Sequence, residues 1–426
     1  MLNLVVAPAD AGIDVPRQIS IRGAVPGETV AISASTVRRG VRWTSYAEFV
    51  ADDRGYVELA KQVPESEDST YDVADAMGLI WSQLPQVEMA REVFNQSVFD
   101  PLVTTIGVRS GVNDVSATLI QRVAAAGVKR IEVEEDGVYG VLFLPEGALP
   151  CPAVMVLGGS EGGVQEHQAA LYASHGYAAL ALGYFRVPGR SDYISHTDLE
   201  YFQQALAWLR TRVQPLNDFV AISGFSRGAE LALLLAATYP QAVSAVIAFA
   251  PSAFVHSSQN AADPDEGREA PAWLLQGEPL CHLWQNNSHA SWDAFDSSVP
   301  HRHELAIQTA LQDIAAMDAA RIPVERIQGP VLLSSGTDDG VWPASRFCQM
   351  VVDRLASRAE PALVKWINTP HAGHAIRFPY VPTSQSTYLH PISRLLCTTG
   401  GQPYADAWAG RESWAAVLEF LRTVSQ

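Results

Sequence analysis

The chain has 426 residues, 48% of them apolar and 18% charged, with a net charge of −17. That length exceeds one ordinary domain and suits two or three, and the apolar content excludes wholesale disorder. So acidic a surface excludes non-specific binding to nucleic acid or to anionic membrane. The four cysteines, Cys151, Cys281, Cys348 and Cys397, form no CxxC pair and are expected to be free thiols in a reducing compartment. The N-terminus MLNLVVAPADAGIDV lacks a basic leader region, and the longest apolar stretch, around Ala242–Val255, is too short to span a bilayer. The sequence therefore predicts a cytoplasmic protein with no membrane insertion and no nucleic-acid partner.

The first 85 residues or so read as short strands. Gln18–Arg22 alternates, and Thr29–Ala34 places Val30, Ile32 and Ala34 on one face. Trp43–Ala51 turns through Asp53-Arg54-Gly55 into Tyr56–Leu59. This spacing predicts a small antiparallel sandwich. The stretch from Pro85 to Gly127 is more polar and is predicted to be a helical junction, about 86–127, closing an N-terminal domain of residues 1–127.

From residue 128 the pattern becomes that of an α/β domain running to the C-terminus. Ile131–Glu135 and Val138–Pro145 predict a hairpin. Then come the runs of doubly buried strands: Ala153–Leu157, Ala178–Leu182, Phe219–Ser223, Ala245–Phe249, Val331–Ser335 and Leu363–Asn368. Leu199, Phe202, Leu206 and Leu209 repeat at helical spacing between them. Alternating strand and helix predicts a mostly parallel sheet with helices on both faces. A closing helix is expected near Trp414–Leu421, capped by Ser413. Residues 253–325, with five of the eleven histidines, interrupt the alternation and are expected to form a lid.

Gly224-Phe225-Ser226-Arg227-Gly228 is a GxSxG motif lying between a predicted buried strand and the predicted helix Ala229–Tyr239. Strand, sharp turn and helix make a nucleophile elbow, with Ser226 at the apex and glycines where side chains would strike backbone. A serine hydroxyl needs a base, and the base needs an orienting carboxylate, which in this architecture follow in the order acid, then histidine. After the strand Val331–Ser335 stand Asp338 and Asp339, of which the loop shape favours Asp339; Asp338 would brace the turn. After Leu363–Asn368 stand His371 and His374, and the Ala-Gly before His374 favours it as the base. The group His301-Arg302-His303-Glu304 matches no common metal-ligand spacing and is expected to be a solvated loop. Oxyanion donors are expected from the backbone N–H of Arg227 and, in the loop Gly158–Gly163, that of Ser160. The loop lacks a phosphate-binding signature, and no cofactor or metal is implied.

With these residues the chain resembles the family of acyl-CoA thioesterases and bile acid-CoA:amino acid N-acyltransferases, along nearly its whole length. The resemblance rests on WTSYAEFVADDRGYVEL (43–59), DAMGLIWS (75–82), VMVLGGSEGG (154–163), ASHGYAALALGYF (173–185), GFSRGAELALLLA (224–236), IPVERIQGPVLLSSGTDDGVWP (322–343) and HAGHAIRFPYVPT (371–383). It implies an immunoglobulin-like N-terminal sandwich, an α/β-hydrolase domain, and a triad falling on Ser226, Asp339 and His374. The family's amino-acid-conjugating transferases carry Cys at the elbow; Ser226 therefore tilts the expectation towards hydrolysis. The match is weakest at 253–325. The sequence expectation is a serine thioesterase acting on a small-molecule acyl thioester. An acyltransferase passing the acyl group to an amine or alcohol, or an ester or lactone hydrolase, is the alternative. Acyl specificity is expected to lie in the lid, where Trp273, Trp284, Trp292 and Phe295 would cover the chain, and the sandwich is expected to serve as support.

Overall fold

The structure, a computed structural model, describes residues 1–88, 90–147, 149–358 and 363–426. Its N-terminal part is a sandwich. One sheet joins Asn3–Ala7, Gln18–Arg22 and Tyr56–Glu58. The facing sheet runs in the order Asp10–Gly12, Asn113–Arg122, Leu102–Ser110, Thr29–Arg38, Val41–Val50 and Leu84–Pro85. Period-two patterning supplies the core: Ile19, Ile21 and Val57 from one sheet meet Val30, Ile32, Ile106 and Leu119 from the other, all buried.

The predicted helical junction is corrected here. Leu102–Ser110 and Asn113–Arg122 are paired antiparallel strands at the centre of the larger sheet, and no helix occurs among the described residues of 86–127. The outward positions of LVTTIGVRS are Val103, Thr105, Gly107 and Arg109, and with the polar outer face of the next strand they disguise a half-buried hairpin as a polar segment.

The second part is built on an eight-stranded sheet whose strands are labelled in chain order: β1 Lys129–Glu135, β2 Val138–Leu144, β3 Ala153–Leu157, β4 Ala178–Leu182, β5 Val220–Phe225, β6 Ala245–Phe249, β7 Val331–Gly336 and β8 Val364–Thr369. The spatial order is β1-β2-β4-β3-β5-β6-β7-β8, parallel from β4 onward, with β2 antiparallel to both its neighbours. Every residue of β3, β4 and β6 is buried, as the unbroken apolar runs require. Helices α1 Glu166–Ser174 and α5 Pro403–Val424 cover one face; α2 Leu199–Val213, α3 Arg227–Thr238 and α4 Ala344–Ala356 cover the other. The strand order reverses at β3, so the crevice above the carboxyl ends of β3 and β5 is where an α/β sheet offers a site.

Two further expectations are corrected. Helix α5 begins at Pro403, well before Ser413, which lies buried in its interior with its hydroxyl 2.6 Å from that of Ser334 on β7. The stretch 253–325 does lie between β6 and β7, as short helices and a small sheet pairing Trp273–Leu275 with Thr197–Asp198. Trp284, Trp292 and Phe295 are turned inward on one another, however, and Trp273 packs on Tyr184 and Phe202. The rings of Trp284 and Trp292 stack at 4.0 Å, and His303, far from being solvated, is buried against Trp292 and Phe295. Burial pushes the imidazole of His303 down to about 3 and that of His282 to about 4.

Two outcomes test this description. Ile106 is fully buried and Val103, on the opposite face of the same strand, is 45% exposed. Ile106→Ala is expected to lower unfolding stability by about 2–5 kcal/mol, and Val103→Ala by under about 0.5 kcal/mol, in chemical denaturation of the whole chain. The lid histidines set a pH dependence. Each is neutral in the folded state and regains its ordinary affinity for a proton, near 6.5, on unfolding. Their contribution is complete above that value and is lost as pH falls towards 4, at up to about 1.4 kcal/mol per pH unit for each ring. His303→Phe, which keeps the stacking, is expected to flatten the fall in stability between pH 7 and pH 5. An unaltered slope would refute the assignment.

Candidate active site

At the end of β5 the chain enters α3 through a single residue. Ser226 has φ 56° and ψ −119°, a conformation costly for a side-chain-bearing residue. Its backbone is held from both sides. Its N–H donates to Phe249 O on β6 at 2.9 Å, and its carbonyl accepts from Ala229 at 2.9 Å and Glu230 at 3.0 Å. The two motif glycines are there for contact. A Cβ on Gly224 would lie 2.0 Å from the carbonyl oxygen of Gly228, and one on Gly228 would lie 2.4 Å from that of Gly158. Strand, helix and the loop after β3 therefore cross at van der Waals limits. A Cβ built on Gly159 would stand 3.4 Å from the Ser226 Cβ, which puts the Gly158–Gly163 loop directly beside the hydroxyl.

The loops after β7 and β8 bring Asp339 and His374 together. His374 Nδ1 lies 2.7 Å from Asp339 Oδ2, with both side chains almost fully buried. Asp339 Oδ1 accepts from the N–H groups of Val341 at 2.8 Å and Trp342 at 3.1 Å, so both carboxylate oxygens are committed. A carboxylate accepts only. Nδ1 therefore carries a proton, which in the neutral ring leaves the lone pair on Nε2. That Nε2 is buried and has no hydrogen-bond partner among the described residues. The ring rests 4.9 Å from that of Phe225, the residue before Ser226. No hydrogen bond joins Ser226 Oγ to His374 among the described residues.

The rival positions fall elsewhere. Asp338 is half-exposed and ties Arg302 of the lid (2.6 Å) to the N–H of Gly401 (3.2 Å), the bracing role that the sequence allowed it. His371 is exposed, with φ 60°.

Of the expected oxyanion donors, the N–H groups of Arg227 and Ser160 have no partner among the described residues. The loop bearing Ser160 is anchored by a residue that sequence reasoning passed over. His390 is buried; its Nδ1 accepts from Ile392 and Ser393 N–H at 3.3 Å, so its Nε2–H donates to Ser160 Oγ at 3.1 Å. Burial pushes this imidazole down to about 4, which keeps it neutral in that role. Asp406 was missed as well. It accepts the N–H of Gly373 at 2.6 Å and so fixes the turn that carries His374.

Arg227 has a second role that the motif does not announce. Its guanidinium is buried and reaches Glu230 (2.8 Å), the carbonyl of Ser257 (2.7 Å) and Gln259 (3.1 Å). Glu230 in turn accepts from Trp273 Nε1 at 2.9 Å and the N–H of His256 at 3.1 Å. The first turn of α3 thus clamps the base of the lid. Nothing in the lone sequence GFSRGAE distinguishes this from a solvated Arg–Glu pair at helical spacing.

Beside Phe225 opens a cleft of about 590 Å³ with walls from both parts of the chain, including Arg39, Trp43 and Arg91 on one side and Glu161, Arg186 and Arg377 on the other. No lid residue lines it. The sandwich thus supplies one wall of this cleft, in keeping with its expected supporting role, while Trp284, Trp292 and Phe295 of the stretch 253–325 pack on one another.

An eight-stranded α/β sheet with a one-residue strand-to-helix elbow, behind a β-sandwich, defines an enzyme of the α/β-hydrolase fold. The chain belongs to the acyl-CoA thioester hydrolase/BAAT family: residues 14–135 match the family's N-terminal region and residues 197–425 its C-terminal region. Among curated proteins it is 28% identical to mouse acyl-coenzyme A thioesterase 6 over 432 residues, covering 99% of this chain and 96% of that protein. It is likewise 28% identical to mouse acyl-coenzyme A amino acid N-acyltransferase 1 over 432 residues, covering 99% and 97% of the two chains. Mouse bile acid-CoA:amino acid N-acyltransferase is also 28% identical, over 445 residues, with coverage of 99% and 97%.

The two aspartates separate in a simple experiment. Asp339→Asn removes the acceptor that fixes the His374 tautomer and is expected to lower kcat by about 10³–10⁴-fold. Asp338→Asn disturbs the tie between Arg302 and Gly401 and is expected to cost less than about tenfold. A reversed ranking in steady-state kinetics would move the role to Asp338.

Proposed function

We propose that the protein is a serine thioesterase that hydrolyses acyl-CoA, or a related acyl thioester, to the free acid. Ser226 is the nucleophile, His374 the base and then the acid, and Asp339 the group that orients His374. The observation that carries this reading is the buried, unpartnered Nε2 of His374 lying beside the elbow. An acceptor lone pair out of water has no structural use there; a rotation of the Ser226 side chain would supply its proton donor.

In the first step Ser226 Oγ attacks the thioester carbonyl while its proton passes to Nε2. The developing oxyanion is met by the N–H groups of Arg227 and Ser160, which need no reorganisation to receive it. The C–S bond breaks, Nε2 returns the proton to the departing thiolate, and the acyl group remains on Ser226. Water, giving its proton to His374 Nε2, then attacks the acyl carbonyl. The ester bond to Ser226 Oγ breaks, Nε2 returns the proton to Oγ, and the free acid leaves. Transfer to an amine follows the same first half and differs only in what attacks the acyl-serine. Membership of a family whose named relatives include N-acyltransferases makes this the second reading. A serine rather than a cysteine at position 226 supports water as the acceptor.

Ser226→Ala is expected to reduce turnover of acyl-CoA by at least about 10³-fold with the fold retained, and to abolish labelling by a fluorophosphonate. Residual activity above about a tenth of wild type would remove Ser226 as nucleophile. Mass spectrometry of the products from a panel of acyl-CoAs, with and without amino acids, decides the acceptor. Free acid in both conditions supports hydrolysis; amide in the second overturns it in favour of transfer.

A further inference from the structure

The cleft beside Phe225 is cationic, in a protein that is not. Four arginines, Arg39, Arg91, Arg186 and Arg377, stand among its lining residues with two glutamates, Glu92 and Glu161. Its other titratable groups add no charge at neutral pH. Burial pushes the carboxyl of Asp406 up to about 8 and the imidazole of His167 down to about 4. The cleft therefore keeps a positive surplus within a chain of net charge −17. Random placement of surface charge does not concentrate arginines in a concavity that abuts the nucleophile's neighbour; a site for an anion does.

Three of these arginines are held in place, and among the described residues only one of the four is ion-paired. The Arg91 guanidinium lies 3.9 Å above the ring of Tyr388, and that of Arg377 lies 4.4 Å above Phe225. Arg186 donates to the backbone carbonyl of Glu161 at 2.8 Å, and Arg377 to the amide oxygen of Gln165 at 2.9 Å. Only Arg91 is paired with a carboxylate, that of Glu161 at 3.2 Å; among the described residues the other three make no ion pair. Planar forks fixed on aromatic faces are preorganised receptors for phosphate, since their ordering is complete before the ligand arrives.

Resting on the reading of Ser226 as the nucleophile of a thioesterase, we infer that this interdomain cleft receives the phosphate-bearing nucleotide end of the thioester carrier. Its two walls, one from the sandwich and one from the hydrolase part, grip the phosphates together. Several separate forks suit a ligand with several phosphates. A single carboxylate on the acyl group would need one fork only.

The test uses one acyl group on two carriers, CoA and N-acetylcysteamine, the second of which has no phosphate. Two variants, Arg91→Gln and Arg186→Gln, are measured in the full chain, with Arg39→Gln as a third at an exposed residue. Each is expected to lower the ratio of kcat/KM for the CoA thioester to that for the N-acetylcysteamine thioester by about tenfold or more, mostly through KM. That is the fold-change of one lost charged hydrogen bond. Each is also expected to weaken binding of free CoA, followed by calorimetry. Unchanged ratios and unchanged CoA affinity in all three variants would overturn the inference. So would a loss that follows succinyl against butyryl on N-acetylcysteamine, which would assign the arginines to an acyl carboxylate. Should the wild type turn over neither thioester, the thioesterase reading fails, while the affinity for free CoA still decides what the cleft holds.

Discussion

Between Phe225 and Arg227 the chain reverses from strand to helix through one residue, and the geometry around it follows from that constraint. A positive φ at Ser226 costs about 1–3 kcal/mol in an L-residue. It persists because three backbone hydrogen bonds and two glycine crossings leave the chain no other path. The same crossings press the loop after β3 against the hydroxyl. They also leave the N–H of Arg227 at the head of α3 with no carbonyl four residues back to satisfy it. The strained serine and the unpartnered N–H beside it are two products of one turn.

The second centre of order lies where the loops after β7 and β8 interlock. Gly340 and His374 both donate their N–H groups to Thr399, and Asp338 donates its own to Ala372, so the two loops are laced through a third segment. Asp406, at the start of α5, adds the bond to Gly373. The short contact between Asp339 and His374 thus depends on residues as distant in the chain as Thr399 and Asp406, the second of them on helix α5.

How legible this was in the sequence depended on the kind of signal. Strands β3, β4 and β6 are unbroken apolar runs, and the GxSxG motif sits between such a run and an Ala/Leu-rich helix, so sheet and elbow could be read directly. Asp339 and His374 were legible through loop order. The hairpin of residues 102–122 was not, because its solvent face is written in Thr, Ser and Asp and imitates a polar connector. His390, Asp406 and Thr399 act through hydrogen bonds to residues distant in the chain, and a lone polar residue carries no period to detect. The lid aromatics were legible as apolar but not as to what they face: Trp284 reads the same whether it meets a ligand or Trp292.

Arg227 joins two jobs at one position, its backbone facing the site and its guanidinium holding Ser257, Gln259 and Glu230. Any residue but proline retains the N–H at this position, so drift there leaves that backbone donor in place while loosening the hold on the stretch 253–325. Only a planar fork reaches all three partners at once. Variation at position 227 among related chains should therefore be read as a record of how firmly each one fastens its lid, and not as a record of its chemistry.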